Sequence, residues 1–371
     1  MRELGIRWEI DSHVIIDDRY YFEPGLVIHP VGGVTGGLGQ LGQWREIALG
    51  MGVELRYESR VRNLLGNDRR IEGVSFPIRT KNTKSRRVRS FYARAVFKPM
   101  REMRARYLGS NADLMKVRGS KHDTGEVLMM ALAMGAKAAG HWQGAHAHAD
   151  RSRRTPDVEI GSKANRYGYP YGITVNTLGQ RFSTKAKRAT RTPMRKQAGQ
   201  CCGQPGALAY QIYDQKTIPL LGTRYEFSTP IEANTIDELA SKIGIESAVL
   251  NHTIKEFNNA ARKDVPFDAT KLDGKCTEGI TPKKSNWSEL PSTSRRTGRY
   301  AITGGVTFTF GGLQINTQAQ VLNTSNNPIR GLFASGDIIG LFFHNYPSCT
   351  GQTRNVVFSR LAGRNAAALG L

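Results

Sequence analysis

Residues 331–363 read GLFASGDIIGLFFHNYPSCTGQTRNVVFSRLAG. The apolar run from Gly331 to Ser335 predicts a short strand, which the Gly336-Asp337 pair stops. A polar, glycine-bearing loop follows, and then Val356, Val357, Leu361 and Ala362 recur at helical spacing. A strand, an acid at its tip, a loop and a helix start therefore succeed one another. That order gathers unpaired backbone N–H groups and the positive end of a helix dipole at one point, which suits an anion or a phosphate. Asp337 at the strand end can accept hydrogen bonds from sugar-type hydroxyls; the plainer reading makes it a turn cap and the loop a connector.

Working outward, 371 residues are enough for two domains with substantial cores. A net charge of +22 is high and first points to nucleic acid or an anionic surface. The charge is concentrated in 81–106 and 151–196, where no regular aromatic interleaving and no helix-turn-helix, RRM or zinc-finger pattern accompanies it. A nucleic-acid partner is thus the rival reading, not the leading one. Cys201, Cys202, Cys276 and Cys349 form no CxxC and no zinc-type array, and are read as reduced thiols. His141, His146 and His148 with Asp150 match no standard metal spacing, so no metal is expected. No apolar run approaches membrane-spanning length and MRELGIRWEID lacks a signal-peptide core, which leads to the expectation of a cytoplasmic chain.

Along the chain, IRWEI and RYYFE read as strands, and Gly37 to Gly42, GLGQLG, fits GxGxxG between an apolar run and a helix-like WREIALGMG. Two readings stay open there. It is either a phosphate-binding turn with Glu58 as the ribose acid, or part of an internal helix-strand unit, since Gly32 to Gly36 separate the turn from its strand. TGEVLMMALAMG, 124–135, reads as a helix ending near Gly135. Thr235 followed by Glu238 is a capping box, and 245–263 carries a longer amphipathic helix. From about Tyr300 the pattern is hairpin-like, with Asn327-Pro328 as a turn.

The closing stretch, GLFASGDIIG, then FFHNYPSCTG, then VVFSRLAGRNAA, resembles the end of the FAD-dependent fumarate reductase/succinate dehydrogenase flavoproteins, most closely their tricarballylate dehydrogenase-like branch. GGVTFTFGGLQINTQAQVL, LDGKCTEGITPKKSNW, NRYGYPYGITVN, GHWQGAHA and GVELRYESRVRNLL extend the likeness in order along most of the chain. The resemblance implies an α/β fold: a Rossmann-like FAD-binding domain without its N-terminal GxGxxG unit, interrupted by an inserted α+β cap. The boundaries expected are 1–140, 141–297 and 298–371. FAD is the cofactor implied, with Gly336, Asp337, Gly351, Gln352, Thr353 and Asn355 at the flavin and the Val61 backbone at the adenine.

The same resemblance implies a small carboxylate or ketone substrate, oxidised or reduced at a C–C bond, with an electron acceptor it does not name. His146 falls at a carboxylate-binding histidine. Tyr346 falls at a tyrosine that hydrogen-bonds a substrate carbonyl. His344 is typical of the branch, and the family's catalytic arginine falls near Arg188. Departures accompany these matches. Ser348 and Cys349 replace two glycines, about Pro347 stands where fumarate reductases carry a substrate-binding arginine, and 183–200 contains no acid to tune Arg188. The basic stretches 79–106 and 183–203 replace family sequence, and are read either as genuine or as out-of-frame translations of it. Without an ADP-binding unit the chain is also readable as an inactive remnant.

Overall fold

The computed structural model describes all residues except 1, 11–13, 17–18, 22–27, 32–35, 79–80, 85–90, 94–96, 152–157, 160–164, 184–197, 222–224, 227, 289–296, 344–345, 348–349 and 370–371. His344 and Arg188, both expected site residues, lie outside the described residues. The chain is a mixed α/β protein that divides into two compact units. The first comprises Met1–Ile47, Ser110–Gly119 and Ala147–Gly305; the second comprises Ala48–Gly109, Ser120–His146 and Val306–Leu371.

The first unit is built on a seven-stranded sheet. Its main path runs Val158–Glu159, Lys116–Arg118, Thr297–Thr309, Ala209–Tyr213, Ile173–Asn176, and Ala145–Arg151 and Ile231–Ala233 also pair with Thr297–Thr309. Antiparallel register sets Ile212 opposite both Ile173 and Arg299. Helices Ile236–Ile243 and Ser247–Ala260 cover it. The first of them buries Ile236, Leu239, Ala240 and Ile243, an i, i+3, i+4, i+7 stripe. The capping box forms: Thr235 Oγ1 accepts from the Glu238 N–H at 3.1 Å, Glu238 Oε2 accepts from the Asn234 N–H at 2.7 Å, and Gly244 ends the helix at φ +69°. Ile173, Val175, Ile212, Leu239, Leu250, Ile254 and Phe257 make one apolar core.

Of the two readings left open for Gly37 to Gly42, the phosphate-binding turn is not the one the fold contains. Gly37, Gly39 and Gly42 lie inside the helix Gly36–Gly50, so their N–H groups enter a helical ladder rather than a cradle for pyrophosphate. Gln43 ties this helix back to the preceding chain, accepting from the Arg7 N–H at 2.8 Å and donating to the Val31 carbonyl at 3.1 Å. Nor do residues 53–59 join a strand. There Val53, Leu55 and Tyr57 alternate along an exposed run that also includes Leu49 and Met51; Met51 and Tyr57 are 71% and 70% exposed.

Among the described residues the second unit holds three small sheets, one of them the pair Ala138–Ala139 and Gly312–Leu313. Asn63–Gly66, Ile71–Ile78 and Lys81–Lys84 form a meander, and Gln320–Leu322, Pro328–Ala334 and Phe91–Ala93 form a three-stranded sheet. Phe91–Ala93 lies within the basic, family-departing stretch, yet it pairs in parallel with Pro328–Ala334, Leu332 opposite Phe91. Pro328–Ala334 is continuously buried from Gly331 onward, as a strand covered on both faces must be. The terminal helix Thr350–Ala367 buries Ala362 and Ala366 against Phe333 and Ala319. Among the described residues no helix is long and apolar enough to cross a membrane.

Several cations are buried in the first unit, Arg166, Lys275, Lys284 and Arg299 among them. Lys284 Nζ donates to the Gly172 carbonyl at 2.5 Å. Burial first, then the positive charge of Arg181, bring its ammonium from the ordinary 10.5 down to about 7, against a smaller pull from Asp273. From about pH 7 towards 10 the unfolded chain therefore holds a proton that the folded unit does not, and stability rises with pH across that window. Urea midpoints taken between these limits should climb, and Lys284→Met should remove this contribution to the slope.

Candidate active site

Every described residue expected at the site belongs to the second unit: Val61, His146, Gly336, Asp337, Tyr346, Gly351, Gln352, Thr353 and Asn355. The strand Pro328–Ala334 is followed by Ser335, and Gly336, at φ +80°, turns the chain into the short 3-10 segment Gly336–Ile338. Asp337 thus sits at the strand tip. Its Oδ1 accepts from Arg354 Nη2, an ion pair within the unit. Arg354 also donates from Nη1 to the Ile339 carbonyl at 3.4 Å, and its guanidinium carbon lies 4.8 Å and 5.4 Å from the ring centres of Phe342 and Phe308. Arg354 is 3% exposed. Asp337 keeps a side chain that is 14% exposed, and its Oδ2 remains able to accept from a hydroxyl.

Arg354 was not among the residues singled out in the sequence, although a signal was present. An arginine as near the start of a helix as the fifth position stands close to the positive end of its dipole, an unfavourable place for a cation unless a carboxylate meets it. The only acid of 331–363 is Asp337.

Below this pair, three backbone segments abut. Ala138–Ala139 pairs antiparallel with Gly312–Leu313, Leu313 bridges to Ile339, and the Gly340 N–H donates to the Leu313 carbonyl at 3.0 Å. A Cβ on Gly340 would stand 2.2 Å from the Ala139 carbonyl oxygen. On Gly312 it would stand 2.0 Å from the Ile338 oxygen, and on Gly140 2.3 Å from the Phe310 oxygen. Only residues without a side chain permit this approach.

Tyr346 is seated at the start of the terminal helix. The Gly351 N–H donates to its hydroxyl oxygen at 2.9 Å, and a Cβ on Gly351 would lie 2.8 Å from the same oxygen. The Thr350 N–H and Oγ1 both donate to the Pro347 carbonyl, at 3.2 and 2.5 Å, which fixes the first turn. The tyrosine ring lies 5.1 Å from Phe308, 5.3 Å from Phe342 and 4.4 Å from the imidazole of His146, while His146 also lies 5.2 Å from Phe308. His146 and Tyr346, two hundred positions apart in the sequence, are therefore ring neighbours on an aromatic floor. A phenol that accepts from a helix N-terminus is polarised towards donating its own proton, and an imidazole beside it is suited to a carboxylate or carbonyl oxygen.

Along the rest of the helix start, Gln352 and Thr353 are exposed and Asn355 is half-buried, its Oδ1 3.4 Å from Arg354 Nε. Val61 is half-buried, just before the strand Asn63–Gly66. Ser348 and Cys349, the departures from the glycine pair, lie outside the described residues. Among the described residues no three His, Cys, Asp or Glu side chains converge on a metal position.

A sequence profile of the FAD binding domain family matches residues 41–352. Among curated proteins, the chain is similar to the probable fumarate reductase Ifc3 of Shewanella frigidimarina, 27% identical over 351 residues, covering 91% of this chain and 54% of that protein. The chain thus spans about half the length of that relative. Among solved structures, the open conformation of a flavocytochrome c3 fumarate reductase superposes with a TM-score of 0.73 at 23% identity, over 99% of this chain and 61% of the other. A 3-ketosteroid delta1-dehydrogenase from Sterolibacterium denitrificans, in complex with 1,4-androstadiene-3,17-dione, does so with a TM-score of 0.67 at 20% identity, over 90% and 63%. At these identities the structural likeness speaks for the fold.

Three variants test this geometry. Asp337→Ala deprives the buried Arg354 guanidinium of its carboxylate and should cost about 3–5 kcal/mol, whereas Asp337→Leu with Arg354→Met should recover most of that loss. Gly340→Ala drives a methyl group into the Ala139 backbone and should cost about 3 kcal/mol. Urea denaturation of the three variants reads both effects.

Proposed function

Since this chain belongs to the FAD binding domain family, within the fumarate reductase/succinate dehydrogenase flavoproteins, we propose that it is an oxidoreductase of C–C bonds adjacent to a carbonyl or carboxylate. FAD is the cofactor of this domain. The unit Ala48–Gly109, Ser120–His146 and Val306–Leu371 is then the flavin-binding part, and the other unit the cap. The chain's own groups fit a flavin. A helix start with room for no side chain at Gly351, the Asp337 Oδ2 at the strand tip, and the exposed Gln352 and Thr353 offer donors and acceptors to its polar edge and its ribityl hydroxyls. Asn355 and Gly336 flank them, and the Val61 backbone, which makes no hydrogen bond to a described residue, is assigned to the adenine.

FAD, when bound, takes up or supplies a hydride. The remaining work falls to the protein. The Tyr346 hydroxyl, held by the Gly351 N–H, donates a hydrogen bond to the substrate's carbonyl oxygen and withdraws electron density from the conjugated C=C. His146, 4.4 Å away ring to ring, holds a carboxylate oxygen or the far side of the same carbonyl. Phe308, Phe342 and Phe310 exclude water from one side of that pair. His344 and Arg188 are the further candidates for moving the proton on the neighbouring carbon. Substrates of this description are small unsaturated carboxylates or enones, the two classes that fumarate reductase and the ketosteroid dehydrogenase name between them. The observation that carries the reading is the seat of Tyr346 on a helix N-terminus beside His146.

The test is direct. The purified chain is incubated with FAD, desalted, reduced under anaerobic conditions, and mixed with an unsaturated dicarboxylate or a cyclic enone while flavin absorbance is followed. Flavin should be retained and reoxidised, and Tyr346→Phe should slow reoxidation by about 100-fold with flavin content unchanged. A colourless protein, or a Tyr346→Phe variant as fast as the parent, overturns the proposal.

A further inference from the structure

A second constellation lies wholly within the first unit and takes no part in the chemistry above. A small cavity of about 20 Å³ is lined by Tyr169, Thr174, Arg181, Ser183, Phe257 and Lys284, together with Gly172 and Ile173. Local structure explains how these meet. Residues Ile173–Asn176 form the edge strand, the chain turns through Gly179, and Arg181 returns opposite Val175. The turn is pinned to the helix Ser247–Ala260, where Thr253 Oγ1 donates to the Gly179 carbonyl at 2.8 Å. One turn further along that helix, Phe257 presents its ring to both cations. Arg181 Cζ lies 4.5 Å and Lys284 Nζ 5.6 Å from its centre.

The chemistry of the lining is one-sided. Arg181 spends Nη2 on the Pro282 carbonyl at 2.8 Å, and Lys284 spends one proton on the Gly172 carbonyl. Neither forms an ion pair with a carboxylate among the described residues, and no described lining residue is an acid. Tyr169, Thr174 and Ser183 add three hydroxyls, none of them engaged by another described residue. Burial is the largest cause that lowers both groups, Lys284 to about 7 and Arg181 to about 10, against smaller opposing pulls from Asp273 and Glu256; Lys284 is thus only partly protonated at neutral pH, and a bound anion would favour its charged form. Phe257 offsets only part of the cost of burial, since a cation over a ring gains about 0.5–2 kcal/mol. A cavity of this size has room for a water-sized group or slightly more. Its walls, two cations and three hydroxyls, can donate to a ligand from several sides.

We propose that this cavity is a binding site for a small oxyanion, of the size of one carboxylate group, held between Arg181 and Lys284 with Thr174, Ser183 and Tyr169 as additional donors. The occupant is formate, acetate or the carboxylate end of a slender acid. Inorganic phosphate, with four oxygens around one centre, is the bulkier ligand and should bind more weakly than formate or acetate.

Isothermal titration of the full chain with sodium formate and with sodium acetate, at constant ionic strength, tests this. Both should bind at one site per chain. Lys284→Met should weaken binding at least tenfold, and Thr174→Val, which keeps shape and removes one hydroxyl, should weaken it about threefold. The Thr174→Val measurement stands by itself if Lys284→Met does not fold. Absence of saturable heat with either anion overturns the proposal. So does binding unaltered in the variants, and so does binding of inorganic phosphate with none of formate or acetate.

Discussion

The second unit depends on a single steric condition, the meeting of three backbone segments at Gly140, Gly312 and Gly340. There the carbonyls of Ala139, Phe310 and Ile338 lie where side chains would otherwise stand. Because Gly340 is drawn against Leu313, the chain leaving the strand Pro328–Ala334 has one direction to take. That direction puts Phe342 and Tyr346 over Phe308 and Phe310. The closeness of the backbones thus sets the aromatic floor, the floor sets the Tyr346 ring, and the ring meets the helix start at Gly351. A second interaction, the Asp337–Arg354 pair, joins the two ends of the same loop. Its arginine is buried against Phe308 and Phe342, where losing the carboxylate leaves the guanidinium poorly solvated.

What could be read from the sequence was local. The strand before Gly336, the helix after Thr350, the Thr235–Glu238 cap and the helix ending near Gly135 rest on signals within a few residues of one another, and the fold contains all four. GLGQLG shows the limit of the same method. Its spacing fits a phosphate loop, but the loop requires a strand immediately before the first glycine, and these glycines lie in a helix instead. The segment 53–59 carries a strand-like alternation yet finds no neighbouring strand, since pairing is a property of the sheet and not of the run.

The site was legible in its positions more than in its interactions. His146 and Tyr346 could be named from motifs far apart, whereas their ring-to-ring distance follows from tertiary packing alone. Arg354 escaped notice because, in a pattern of apolar positions, an arginine reads as a solvated face. The cavity between Arg181 and Lys284 was equally hidden. Its parts come from a hairpin, a helix and a loop after Pro282; two of these stretches carry family-like motifs, but nothing in either motif brings Arg181 and Lys284 together.

The exposed run at Leu49, Met51, Val53, Leu55 and Tyr57 bears on how copies of the chain meet in solution. An apolar strip of this kind favours sticking to copies of itself, while a net charge of +22 keeps copies apart over a distance set by the ions in solution. That distance shrinks from about 10 Å at 0.1 M salt to about 3 Å at 1 M. Added salt therefore weakens the repulsion between copies while leaving the apolar strip as it is, so dilute buffer favours the dissolved state.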